Sequence, residues 1–164
     1  MVWKRDDTLR QNVILSKYRL KTEEYSWYNK LALKVKKLVN GLSQLPPDDP
    51  FRIKMQEGLV DKLYAMGLIS TKSMGKGDHI GATAFARRRL SIVLVRNNYC
   101  ENLKTAIEYI RQGHIRVGPN VVTDPAFFVS RSMEDFITWT DHSKIKKKIL
   151  TFNDKLDDYD FLGN

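Results

Sequence analysis

Residues 110–125 read IRQGHIRVGPNVVTDP, and the hydrophobic period changes in the middle of them. Up to Gly113 the apolar positions are helical: Leu103, Ala106, Ile107 and Ile110 recur at i, i+3, i+4 and i+7, with Asn102 as a good N-cap and Gly113 as a natural stop. Beyond Gly113 the period is two, so Ile115 and Val117 point one way and His114 and Arg116 the other. Gly118-Pro119-Asn120-Val121 predicts a β-turn with proline in its second position, Val121-Val122 begins the return strand, and Asp124-Pro125 ends it. A helix running into a tight hairpin is the expected centre of the fold.

The chain around this centre supplies helices. Upstream, AFARRRLSIVLVRNNY reads as one helix with Leu90, Val93, Leu94 and Asn97 along one side and Arg89 and Arg96 along another, although SIVLV alone also suits a buried strand. Further upstream, Trp27, Leu31, Val35, Leu38 and Leu42 form a helical stripe between Lys30, Lys34, Lys36 and Lys37, with Asn40-Gly41 as a stop. LSQLPPDDP is expected as a loop, because Pro46, Pro47 and Pro50 cannot sit inside a helix, and EGLVDKLYAMG as a second helix closed by Gly67. Downstream, DFITW is a candidate third strand, and Ser143 can cap a helix over SKIKKKILTF with Ile145, Ile149 and Phe152 on one face. The tail DKLDDYDFLGN is acidic and is expected to be mobile except where it docks. The expectation is an α+β fold: an N-terminal helical region (1–85), an αα-β-hairpin unit (86–140), and a C-terminal helix with acidic tail (141–164).

Composition narrows the function. The 164 residues, 42% apolar and 10% aromatic, are enough for one domain with a real core, and a formal charge of +9 points to a polyanionic partner. The charge is uneven: residues 86–148 hold 12 basic and 6 acidic side chains, residues 149–164 hold 1 and 4. There is neither an apolar run of membrane-spanning length nor an apolar segment in MVWKRDDTLR, so the expectation is a cytosolic or nuclear protein with no membrane. Cys100 is the only cysteine, which excludes an intrachain disulfide and a thiolate metal cluster. His79, His114 and His142 lack metal-ligand spacing, no nucleophile motif occurs, and Gly75, Gly77 and Gly81 fit neither the dinucleotide nor the Walker pattern. The expectation is no enzyme, no metal and no cofactor.

Binding has a physical basis instead. Two short helices and a hairpin can gather Arg88, Arg89, Arg96, Asn102, Lys104, Arg111, Gln112, His114 and Arg116 on one concave face, with amides at the Asn102 helix start as added donors. Arginine forks and Lys104 suit phosphate, while Gln112 and His114 suit the shape of an RNA or an unpaired base. The lysines around the Trp27–Leu42 stripe read as the solvated face of a packed helix, and Trp27, Leu31 and Leu38 within it are the candidate partner-binding residues.

R-L-x-x-x-L-x-R at 89–96, N-L-K-T-A at 102–106 and R-Q-G-H-I-R-V at 111–117 resemble, without a gap, the RNA-binding unit named after ribosomal protein S-four (S4). YRLKTEEYSWYN, DKLYAMGLISTK, VGPNVVTDPAF and SRSMEDFITW extend the resemblance from about Tyr18 to Phe161, to the S-four-type proteins of the U-three (U3) small nucleolar ribonucleoprotein, the nucleolar Imp-three family. The resemblance implies a nucleolar RNA-binding assembly factor of the small-subunit processome. It would bind U-three small nucleolar RNA, promote its pairing with precursor ribosomal RNA for early 18S rRNA processing, and dock on M-phase phosphoprotein ten beside a Brix-domain partner. Three features depart from the pattern: the segment before Trp3 is shorter than the family's basic leader, Ser91 stands where ribosomal relatives carry an acid, and Ile107 where they often have arginine. The competing readings are a resident small-subunit ribosomal protein and a protein-interaction adaptor within a ribonucleoprotein.

Overall fold

The computed structural model describes residues 3–152. Its N-terminal part is helical: α1 (Trp3–Tyr18), α2 (Thr22–Ser43) and α3 (Pro50–Ala65), followed by a 3₁₀ turn over Met74–His79. Helix α1 is not among the helices expected from the sequence pattern. Leu9 and Val13 of α1 are exposed, and its inner residues Ile14, Leu15 and Tyr18 meet Leu20, Tyr25, Tyr28 and Ala86 in a small cluster of their own. In α2 the face that packs is rotated from the expected stripe. Ala32 and Val39 are buried and Tyr28, Leu31 and Val35 pack beside the former, whereas Trp27 is 58% and Leu38 57% exposed.

Pro50 does sit in a helix, contrary to expectation, because it occupies the first position, where no intrahelical amide bond is lost. Asp49 is the N-cap, its Oδ1 accepting from the Phe51 amide at 2.9 Å. Asp49→Ala should cost about 1 kcal/mol of stability, read as a lower midpoint in urea at unchanged m-value; a midpoint equal to that of the wild type would show that Pro50 alone sets the helix start. At the far end Gly67 takes φ +76° and the Leu68 amide reaches back to the Leu63 carbonyl at 3.0 Å.

The expected single helix over AFARRRLSIVLVRNNY is two: α4 (Ala82–Ala86) and α5 (Leu90–Arg96). Arg89 has extended φ and ψ and bridges to Phe128, so the backbone breaks at the triple arginine and the Leu90 amide donates to the Phe127 carbonyl at 2.8 Å. Then come α6 (Leu103–Arg111), β1 (Ile115–Val117), β2 (Asn120–Val121), α7 (Arg131–Glu134), β3 (Ile137–Trp139) and α8 (Lys144–Phe152). The three strands form an antiparallel sheet in the order β2-β1-β3, with Arg116 opposite Val121 on one side and Thr138 on the other.

The turn lies one position earlier than its sequence predicts. Val117 pairs with Asn120, so Gly118-Pro119 is a two-residue loop in which proline comes third of the four turn residues, not second. Gly118 has φ +60°. Glycine first and a negative-φ residue second is the arrangement whose twist matches a hairpin's strands.

The main core lies under this unit. Leu90, Val93, Leu94, Ala106, Ile110, Ile115 and Val129 are wholly buried together with Ile137, and join α5 and α6 to the sheet. A second cluster joins α2 and α3 to Ile69, Ile80 and Phe85. The fold is α+β, as expected. No helix among the described residues is long and apolar enough to cross a membrane. The acidic tail DKLDDYDFLGN lies outside the described residues.

Candidate nucleic-acid interface

The end of α6 sets the geometry of the site. Gly113 adopts φ +76°, its amide donates to the Ile110 carbonyl and the His114 amide to the Tyr109 carbonyl, both at 3.0 Å. Those two bonds satisfy the last carbonyls of the helix and turn the chain sharply into β1. The His114 ring then meets Tyr109 edge-on at 6.1 Å between centroids. Sequence periodicity alone located this corner.

Around it the side chains form a bonded strip. His114 Nδ1 lies 3.1 Å from Ser143 Oγ and its Nε2 3.2 Å from Gln112 Oε1, so the ring is clamped between the start of α8 and the end of α6. Arg116 Nε donates to Thr138 Oγ1 at 3.0 Å and its guanidinium pairs with Asp141 at 3.2 Å, which also holds Lys146 at 3.1 Å. The hydrogen bond from Lys146, with the charges of Arg116 and Lys146, holds the Asp141 carboxyl below the usual carboxylate range. Arg111 and Gln112 are exposed on the same corner. Asn102 and Lys104 are exposed at the opposite end of α6, roughly 12 Å away at 1.5 Å per residue. Asn102 is the N-cap but makes no side-chain capping bond, so it does not satisfy the first-turn N–H groups, which have no intrahelical acceptor.

Arg88 and Arg89 correct the sequence reading. Both were expected on the RNA face, and both are buried, at 4% and 5% exposure. Arg88 Nε donates to the Val129 carbonyl at 2.8 Å and its Nη2 pairs with Glu134 at 3.0 Å. Arg89 Nη1 pairs with Glu24 of α2 at 2.8 Å, while its Nε is buried without a partner. A guanidinium already enclosed and neutralised cannot reach a phosphate without breaking the core. Arg96 is exposed at the end of α5 and pairs with the second oxygen of Glu134. Burial raises the Glu134 carboxyl's proton affinity, but the hydrogen bonds from Arg96 and Arg88 outweigh it and hold the group below the ordinary carboxylate range.

Two features of this face escaped the reading from sequence. Lys144, Lys147 and Lys148 of α8 are exposed, and Ser143 fastens that helix to His114. The cations are visible in S-K-I-K-K-K, but only the Ser143–His114 contact shows that their helix starts beside this corner. Phe136 is 62% exposed, its carbonyl accepting from the Gly118 amide at 2.9 Å, so a bare aromatic ring stands beside the hairpin turn. Of the departures from the family pattern, Ser91 is buried with an unpartnered hydroxyl. Among the proposed partner-binding residues, Trp27 and Leu31 line a cleft with Phe85 and Phe128, and Leu38 lines a different one between α2 and α3. Among the described residues no three metal-ligating side chains come together.

Comparison with known proteins agrees with this architecture. Residues 2–82 match the ribosomal protein S4/S9 N-terminal domain, and residues 88–135 match the S4 domain. The chain is 48% identical to the mouse U3 small nucleolar ribonucleoprotein protein IMP3, over 94% of this chain and 85% of the relative. It is 43% identical to the Saccharomyces cerevisiae protein of the same name, over 97% and 88%. It is 28% identical to the small ribosomal subunit protein uS4 of Sulfurisphaera tokodaii, over 88% and 82%. These relatives are of a non-enzymatic, ribosomal or ribonucleoprotein kind. With an S4 unit behind an S4/S9 N-terminal domain and more than 40% identity along almost its whole length, this chain belongs to the family of U3 small nucleolar ribonucleoprotein proteins IMP3.

Proposed function

We propose that the chain is an RNA-binding ribosome assembly factor of the nucleolus, which binds U3 small nucleolar RNA and promotes its pairing with precursor ribosomal RNA in early 18S rRNA processing. Identity of 48% to a protein named as a U3 small nucleolar ribonucleoprotein component is the observation that carries this reading. The RNA face consists of Asn102, Lys104, Arg111, Gln112, His114 and Arg116, with Arg96 at its edge. Residues 86–140 form the RNA-binding unit, residues 1–85 the helical region beside it, and residues 141–164 the C-terminal helix and tail. M-phase phosphoprotein ten and a Brix-domain assembly factor are its protein partners.

The chemistry needed is electrostatic. Two RNA strands that must anneal repel each other, and a compact body of charge +9 that holds both backbones lowers that barrier without bond chemistry. Lys104 and Arg111, exposed and without carboxylate partners among the described residues, offer the phosphate contacts, Arg116 offers the part of its fork that Asp141 leaves open, and the clamped His114 and Gln112 offer a fixed edge to an unpaired base. With about five phosphates neutralised, log K against log salt falls with a slope of about −3.5 for single-stranded RNA. Arg111→Glu with Arg116→Glu should weaken binding more than about ten-fold and bring the slope to about −2. If the doubly substituted protein keeps the wild-type slope in a filter-binding titration, this face is not where the RNA sits.

A further inference from the structure

We propose that the cleft between α2 and α3 is a docking groove for an amphipathic helix of another protein, one that flanks its apolar stripe with carboxylates. The proposal is independent of the RNA reading, since none of the residues of the RNA face lines the cleft. The groove encloses about 550 Å³ and is walled by Leu38, Leu42, Phe51 and Met55, of which Leu38, Phe51 and Met55 are 57%, 56% and 45% exposed. A contiguous apolar patch of this kind marks an interaction site. Each helix also contributes a glycine, Gly41 and Gly58, where an added Cβ would meet nothing within 4 Å. Bare backbone on both walls gives a third helix room to approach closely.

The rim decides the occupant's chemistry. Lys37 and Lys62 line the groove, neither has a carboxylate partner among the described residues, and no acid lines it. The nearby acid of α3, Asp61, is engaged with Lys72 at 2.7 Å beside a different cleft. An apolar trough between two unpaired ammonium groups is complementary to a helix with apolar residues at i, i+3/i+4 and i+7 and acids on both sides. A second copy of this chain is disfavoured, because a two-fold pairing would set Lys37 and Lys62 of one copy against the same groups of the other. Residues 153–164 have acids but no adequate stripe: after Leu156 and Tyr159 the same helical row meets Asp160 and Gly163. RNA is disfavoured because the walls offer it almost no hydrogen-bond donors.

The test is fluorescence anisotropy of the full chain with two designed helical peptides sharing one leucine stripe, one flanked by glutamates and the other by lysines. The glutamate peptide is expected to saturate and the lysine peptide not. Gly58→Leu, which fills the trough and favours the helix, and Met55→Asp, at an exposed position, should each weaken binding more than about ten-fold, while RNA affinity in the same preparations stays at the wild-type value. Lys37→Glu with Lys62→Glu should invert the preference between the peptides. Equal binding of both peptides, or full binding by Gly58→Leu, overturns the proposal. So does binding seen only after removal of residues 153–164, which would assign the groove to the chain's own tail, or a dimer in sedimentation that Met55→Asp dissociates, which would assign it to a second copy.

Discussion

Arg88→Ala should destabilise the protein by about 3 kcal/mol, and thermal unfolding should move down by roughly 6–12 °C for a chain of this size. The side chain is 4% exposed and ties three elements together: the segment before α5, the Val129 carbonyl and Glu134 of α7. Its guanidinium lies under Gly67, where a Cβ would come within 2.8 Å of Arg88 Cζ, so the fork is sandwiched as well as hydrogen-bonded. Removing it leaves the Val129 carbonyl without the Arg88 Nε donor and opens a void between α3 and α7. Arg96 still holds Glu134, which keeps the cost at the lower end for a broken buried pair. Arg88→Met with Glu134→Leu should recover much of the loss, because well-packed apolar groups can replace a buried pair at little net cost.

Acid provides an independent reading of the same pair. The folded-state proton affinity of Glu134 is depressed, so its stabilising contribution is fully present above the ordinary carboxylate value and disappears as pH falls through the folded value. Wild-type stability should therefore decline on acidification below the usual carboxylate range, and the decline should be shallower in Arg88→Ala. A substituted protein that melts within about 2 °C of the wild type would show that Arg88 is not a structural strut.

Leu94→Ala is the second large effect, at about 3 kcal/mol and within the range of leucine truncations in closed cores. Leu94 is wholly buried in the cluster that includes Ala106, Ile110, Ile115, Val129 and Ile137, so it is the point where α5, α6 and the sheet meet. Its loss should lower the urea midpoint while leaving the salt slope of RNA binding at the wild-type value, provided that binding is measured well below the transition. The contrast with Arg111→Glu/Arg116→Glu is the informative part. One substitution acts on the support and the other on the charged face, and the two should separate cleanly into stability and affinity. A Leu94→Ala protein that is stable but has a reduced slope would mean that the face and its core are not separable.

Local pattern made the α6–β1 corner readable. A change of period from 3.6 to two around Gly113 involves only neighbouring residues, and the left-handed glycine with its two backbone bonds follows from them. The cation-bearing strand, the third strand and the Ser143 start of α8 were readable for the same reason. Helix α1 was not, because Leu9 and Val13 face outward and too few apolar positions remain to make a stripe.

The sequence by itself determined the α+β class, the helix-to-hairpin corner, the positive charge and the family pattern. Tertiary structure alone decided which cations face solvent. Arg87, Arg88 and Arg89 look alike in a basic run, but Arg87 is exposed while Arg88 and Arg89 meet Glu134 and Glu24 across separations of 46 and 65 residues. Arginine is ordinarily exposed, and no local rule reports a carboxylate that distant folding brings beside it. The start of α8 is fastened to the hairpin corner by a contact spanning 29 residues, from Ser143 to His114. Charge is a property of composition, whereas its availability depends on which counter-charges the fold encloses with it.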